Sequence, residues 1–301
     1  MDNLATLPGN LTIMPTQKII DYFLSQQTSG TSRTYESSIR SFFAWTGGKI
    51  YKEVSPFDAL SYSEYLNKTA APATVQRHIS TLNRFFGFAW KCGLIEGNPF
   101  GVVKQKSVPI TSQNKFLTVK ELDRLLNALA EKNEKHYVLG LLLAATGMRI
   151  SEVQQLSWNS FLELPDGTIA INALRKGGNY QILPLRSDVW NVLKVFTGKE
   201  IDPEDNSPIF LNPSGERATG ESLRKWIRNG AKRARLKKAV SPHTLRHTFC
   251  SLSIASGASL RDVQEYVNHA SIRTTERYLH AQNMKVGEFM PMKVKDIARQ
   301  L

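Results

Sequence analysis

Arg149, His243 and Arg246 stand in two short stretches whose residue types suit an anionic substrate. In Ser241-Pro-His243-Thr-Leu-Arg246-His247, Ser241 is a good helix N-cap and Pro242 a good first helical residue. His243 and Arg246 then lie three apart on one face of the first two turns. Backbone N–H groups and the helix dipole favour an anion there. His243 and His247 are also spaced like a metal-binding pair, but no acidic residue stands between them, so a metal site is not expected. In Thr146-Gly-Met-Arg149-Ile-Ser-Glu152, Arg149 follows a helix-ending glycine, and Glu152 is placed to hold its guanidinium. Taken alone, that stretch also reads as a surface arginine in a helical salt bridge. Arginine suits the grip on a phosphate because its planar fork bonds two oxygens at once and keeps its charge.

Three further positions carry weaker signals. His269 follows Val267-Asn, and nine residues later Tyr278 stands beside Arg277. Lys176 sits at the tip of an expected hairpin, Arg-Lys-Gly-Gly-Asn. A lone histidine is usually structural, most tyrosines are core or surface residues, and a lysine on a hairpin is usually solvated. Phosphodiester transfer without a metal would need this set: cations around the phosphorus, a nucleophile, and an acid for the departing oxygen. The chain has no phosphate-binding Gly-rich motif of the GxxxxGK[ST] type and no carboxylate cluster of the two-metal type, so no cofactor is expected.

The elements that must position these residues divide in two. Residues 15–95 read as a helical bundle, with Ser32 to Trp45 and Thr74 to Trp90 as its clearest helices. Val75, Ile79, Leu82, Phe86 and Trp90 form an apolar stripe on the second, and Gln76, Arg77, Thr81 and Arg84 form the opposite face. That face is either solvated or laid against DNA. Gly101 to Lys115 lacks periodicity and reads as a linker. Beyond it, Thr118-Val-Lys-Glu121 is a capping box, Val138 to Ala145 a buried helix stopped at Gly147, and Ser160–Leu164, Thr168–Leu174 and Gln181–Leu185 three strands. Helices return at Glu221–Arg235, Pro242–Ser256, Ser259–Val267 and Ile272–His280. Arg224, Lys225, Arg228 and Lys232 make the first of these the best candidate for a groove-facing element. The fold class that follows is mainly α with a small antiparallel β-sheet. Expected domains are 1–104 (helical), 105–115 (linker) and 116–301 (α+β, with a tail helix).

Net charge points to a polyanion. Thirty-nine basic against 26 acidic residues give +13, with a sequence pI near 9.7. Both halves share the excess: +4 over residues 1–108 (11 basic, 7 acidic) and +9 over the rest (28 basic, 19 acidic). Two cysteines, Cys92 and Cys250, without zinc-like spacing, and an N-terminus lacking a secretory pattern, lead to a cytoplasmic expectation. No run approaches the about 20 apolar residues of a membrane span, so no membrane partner is expected.

The order of Arg149, Lys176, His243-Thr-Leu-Arg246-His247-Thr-Phe, His269 and Tyr278 resembles the tyrosine recombinase (lambda integrase-like) family, through most of the chain. One departure is Asn268, where that family usually has glycine; asparagine tolerates a left-handed backbone, so the turn can survive. The resemblance implies an N-terminal SAM-like core-binding domain and a catalytic domain of the DNA breaking-rejoining type. The layout is closest to Xer-type recombinases and transposon-encoded integrases or resolvases, without an extra arm-binding domain. It implies Tyr278 as nucleophile forming a 3′-phosphotyrosyl link, Arg149 and Arg246 on the non-bridging oxygens, His243 and His269 in support, and Lys176 as general acid. It implies a double-stranded recombination site as partner and a homo-tetramer on paired sites, with a monomer or weak dimer free in solution. Integration or excision of a mobile element and resolution of dimers or cointegrates all fit, and the tail, with Val294, Ile297, Ala298 and Leu301, would dock on a neighbour or on its own domain. Two alternatives stay open: a type IB topoisomerase-like relaxing enzyme, and a DNA-binding protein without catalysis.

Overall fold

The computed structural model describes residues 14–104, 116–175, 178–267 and 290–292. The chain divides into two compact units, Met1–Thr111 and Ser112–Leu301. The architecture is mainly helical with one three-stranded antiparallel sheet.

The first unit holds α1 (Thr16–Ser25), α2 (Ser29–Trp45), α3 (Pro56–Thr69) and α4 (Pro72–Lys91). Helix α3 starts where Ser55 and Asp58 cap one another and Pro56 supplies a preset φ. Aromatic rings fill the core: Phe42 lies 5.0 Å from Tyr62, 5.2 Å from Phe100 and 5.9 Å from Phe86, centroid to centroid. Two residues of α4 depart from the sequence expectation. Trp90 is 52% exposed instead of closing the apolar stripe, and Thr81 is buried instead of facing outward. At 100° per residue Trp90 falls about 80° around the helix from Leu82, at the margin of the buried arc, and Ala89 takes the inner place. Arg77 and Arg84 are exposed as expected.

The second unit is built around α6 (Glu134–Thr146), which is buried from Tyr137 to Thr146 and therefore apolar on every side. Helix α5 (Val119–Ala130) packs on it, opened by the Thr118–Glu121 capping box. Helices α8 (Ser187–Thr197), α9 (Gly220–Arg233) and α10 (Pro242–Ala255) also pack on α6. Gly230 lets α9 approach α5: a Cβ there would meet Leu129 Cδ2 at 2.4 Å. A short helix, α7 (Ile150–Gln155), leads to β1 (Phe161–Glu163), β2 (Ile169–Leu174) and β3 (Tyr180–Pro184), and α11 (Leu260–Val267) ends this series. The sheet order is β1-β2-β3, with Ala173 opposite Gln181 and Leu174 opposite Tyr180. Alternation sends Ile171 and Ala173 inward and leaves Leu174 and Tyr180 exposed. Among the described residues, no helix is long and apolar enough to cross a membrane. The expected helix Ile272–His280 and the tail helix lie outside the described residues.

Candidate active site

The C-terminus of α6 sets the site. Gly147 caps it in the left-handed region (φ +58°), and a Cβ there would lie 2.6 Å from Phe249 Cδ1 on α10. Glycine is needed on both counts: the backbone turns, and α10 comes against it. Two residues later Arg149 is the N-cap of α7. Its backbone N–H donates to Glu152 Oε2 at 2.8 Å, and its Nη1 donates to Glu152 Oε1 at 2.8 Å. One carboxylate therefore fixes both the main chain and the guanidinium of Arg149. The arginine side chain stays 31% exposed and Glu152 only 3%.

Helix α10 begins as its sequence dictates. Ser241 accepts from the Thr244 N–H, and Pro242 opens the helix. His243 is exposed in the first turn, and Arg246, one turn on, is buried. Arg246 Nη1 donates to the Gly147 carbonyl at 2.7 Å, and Nη2 donates to the Val267 carbonyl. The first bond ties Arg246 to the backbone two residues before Arg149, across 99 positions of sequence. The His243 and His247 rings sit 4.5 Å apart in an edge arrangement. Among the described residues no three histidine, cysteine or acidic side chains converge as a metal-binding group.

A third guanidinium completes the cluster. Arg175 is buried; its Nη1 donates to Glu152 Oε2 at 2.7 Å, its Nε to Gln181 Oε1 at 2.9 Å, and its Nη2 to the Tyr266 carbonyl at 2.7 Å. Residue types and spacing did not single Arg175 out. Its signal was the two-residue period of β2, which carries Ile171 and Ala173 inward and puts Arg175 next on that side. Arg175 and Arg246 thus bond the last two carbonyls of α11, where a helix carries its partial negative charge.

Among the described residues, the guanidiniums of Arg149, Arg175 and Arg246 gather around the single carboxylate of Glu152. Burial, and then the neighbouring Arg149 charge, push Arg246 down to about 10, while Glu152 opposes the shift. Burial likewise pulls Arg175 below the ordinary arginine range, with Glu152 pulling the other way. Guanidiniums taken out of water and set near one another favour an anion such as a phosphate diester. Lys176, His269 and Tyr278 lie outside the described residues.

The phage integrase family model matches residues 115–297. The chain belongs to the phage integrase family. It is 32% identical over 276 residues to a tyrosine recombinase of Thermosipho africanus, covering 87% of this chain and 95% of that one. Identity to the tyrosine recombinase XerC of Thermodesulfovibrio yellowstonii is 31% over 265 residues, covering 84% and 86%. Among solved structures, a lambda integrase dimer bound to a COC′ core site matches with a TM-score of 0.71, 17% identity and coverage of 88% of this chain and 95% of that one. The Tn1549 transposon integrase, in complex with circular intermediate DNA, matches with a TM-score of 0.68 and 21% identity, covering 91% and 98%. At such identities these structures speak for the fold, and the sequence relatives carry the family.

For a tyrosine recombinase the outer basic faces matter next. On α9, Arg224, Lys225, Arg228 and Lys232 are all exposed, opposite the buried Leu223, Ile227 and Ala231. Glu221 pairs with Arg228 at 2.6 Å and lies 3.7 Å from Arg224. Lys225 and Lys232 project from the same helix. Arg84 on α4 donates to the Tyr35 hydroxyl at 2.8 Å, and Arg77 lies 3.5 Å from His78 Nε2.

Proposed function

We propose that this tyrosine recombinase cuts and rejoins double-stranded DNA at a specific site, with Tyr278 as nucleophile. The phenolic oxygen attacks the scissile phosphorus, the bond to the 5′-oxygen breaks, and a 3′-phosphotyrosyl link forms. Arg149 and Arg246 hold the non-bridging oxygens, His243 and His269 add hydrogen bonds or acid–base help, one of them taking the phenolic proton, and Lys176 protonates the departing 5′-oxygen. The covalent link conserves the energy of the broken strand, so rejoining uses no ATP.

One observation carries this reading. Arg246 bonds the carbonyl of Gly147, which brings the guanidiniums of two distant stretches to the same end of α6. The lambda integrase and Tn1549 integrase structures hold DNA, and a lambda integrase tetramer is bound to a Holliday junction. By analogy this chain works as a homo-tetramer on two paired sites, with residues 1–104 as the core-binding domain and 116–301 as the catalytic domain. Arg77, Arg84, Arg224, Lys225, Arg228 and Lys232 contact the duplex. The reaction is resolution of dimers or cointegrates, or integration or excision of a mobile element, in the cytoplasm; the similarity to tyrosine recombinase XerC supports this reading.

The test is a nicked suicide duplex carrying the target site, incubated in EDTA without ATP. Wild type should trap a covalent adduct at Tyr278; Tyr278→Phe should bind the duplex and trap none. An adduct at another residue, or adduct formation by Tyr278→Phe, overturns the assignment. Arg149→Ala should bind within a few-fold of wild type and cleave about 10²–10³-fold more slowly, as for loss of one donor to a developing oxyanion.

A further inference from the structure

Arg175 belongs to no catalytic role given above, yet it is buried and bonds three different elements of the second unit. Its guanidinium bonds a carboxylate on α7, a side-chain amide on β3 and a main-chain carbonyl at the end of α11. Glu152, its carboxylate partner, is the same group that holds Arg149 by backbone and side chain. A buried guanidinium has five N–H groups to satisfy, and the acceptors it finds decide what it holds in place. Here the planar fork spans three elements at once, and one of them is the support of a proposed catalytic arginine.

We infer that Arg175 is a positioning residue for strand cleavage: through Glu152 it fixes the angle at which Arg149 meets the phosphate, and it ties that clamp to the end of α11. This rests on the reading of Arg149 as a phosphate clamp. Arg175 touches no substrate; it acts through Glu152. Without it the carboxylate keeps Arg149 but loses its second anchor, and the clamp gains freedom to rotate off the productive geometry. A displacement of about an ångström in such a group costs on the order of 10²-fold in rate.

The experiment compares wild type, Arg175→Gln and Arg175→Lys on the suicide duplex, measuring binding and single-turnover cleavage separately, below each variant's melting temperature. Arg175→Gln should bind within about three-fold of wild type and cleave about 100-fold more slowly. Arg175→Lys keeps a charge for Glu152 but cannot reach three acceptors in one plane, so it should fall between, about ten-fold slow. It also serves if the glutamine variant does not fold.

The deciding measurement uses a duplex with one non-bridging oxygen of the scissile phosphate replaced by methyl. That substitution removes the charge Arg149 holds, so the gap from wild type should shrink to less than ten-fold for Arg175→Gln and to about two-fold or less for Arg175→Lys. A gap unchanged on the neutral phosphate, or cleavage falling only in step with binding, overturns the inference. So does wild-type cleavage by both variants. If wild type itself forms no Tyr278 adduct, the functional reading has failed instead; wild-type cleavage with unaffected Arg175 variants sinks only the positioning role.

Discussion

The two units solve the core problem in opposite ways. In the first, the buried polar side chains among the described residues are Ser38, His78 and Thr81, and the rest of the interior is apolar, with rings of Phe42, Phe85, Phe86, Phe100 and Tyr62 at its centre. Burial and Arg77 lower the pKa of His78, which bonds the Tyr62 hydroxyl at 3.1 Å. In the second unit the core is largely aliphatic around α6, and it buries Glu152, Arg175 and Arg246. Taking ions out of water costs several kcal/mol each before pairing returns any of it. A fold that tolerates three such groups at one end of one helix keeps them for something other than stability. The first unit can be an uncharged scaffold carrying basic side chains outside, whereas the second holds charge inside, where the proposed chemistry puts a reacting phosphate.

The sharpest way to break that contrast is to remove the carboxylate. Glu152→Ala leaves Arg149 and Arg175 without the group they share, and should lower the stability of the second unit by about 3–5 kcal/mol, the cost of uncompensating a buried pair. Glu36→Ala, which breaks the exposed Arg40–Glu36 pair of the first unit, should cost no more than about 0.5 kcal/mol. Denaturant unfolding of both variants checks this; equal costs would mean the buried cluster is held no more tightly than a surface pair.

Next comes the turn that brings the arginines together. Gly147→Ala forces a side chain into a left-handed backbone, about 1–2 kcal/mol, and drives a Cβ into Phe249, about 1–3 kcal/mol more. Because the Gly147 carbonyl anchors Arg246, cleavage should fall beyond what the lost stability explains, measured well below the melting temperature. Phe42→Leu in the first unit is the counterpart. It should cost about 1–2 kcal/mol and leave the cleavage rate at saturating DNA within a few-fold of wild type, because no ion or phosphate contact depends on that ring.

Much of this was legible in the residues, and the reasons differ by element. Ser241 and Pro242 announce the start of α10, so the placement of His243 and Arg246 followed from spacing alone. Gly147 and the uninterrupted apolar run before it announced the end of α6, and Glu152 three residues after Arg149 announced its partner. The mainly helical architecture with three antiparallel strands was readable from period changes along the second half. Arg175 was not found, because a charged residue at a strand end reads as surface unless the two-residue alternation is followed one step past the last apolar position. That Glu152 serves two arginines could not be read from the sequence, since Arg175 reaches it across 23 positions. On α4 the error was of another kind: Trp90 sits at the margin of the buried arc, where a few degrees decide exposure, and hydrophobicity alone chose wrongly.

The smallest expected effect contrasts two histidines, one in each unit. His136 on α6 lies against Trp226, ring centroids 4.6 Å apart and tilted by 31°, and its Nδ1 has no hydrogen-bond partner among the described residues, whereas the His78 Nδ1 meets Tyr62. Burial, followed by the charges of Arg233, Lys135 and Lys132, pushes His136 down to about 4. The unfolded chain takes up a proton as pH falls through about 6.5, while the folded chain refuses it until about 4. The contribution of His136 is therefore full above about 6.5, declines from there to about 4, and is constant below. Because the ring is half-buried and solvent screens part of the shift, the loss should be on the order of 1 kcal/mol rather than the full linkage value. His136→Phe keeps a ring against Trp226 and removes the proton site, so the drop in unfolding midpoint of the second unit between pH 7 and pH 4.5 should become smaller in this variant. An identical drop in wild type and variant would assign the acid sensitivity to other groups, and the unpaired ring would then be a packing feature without consequence for pH.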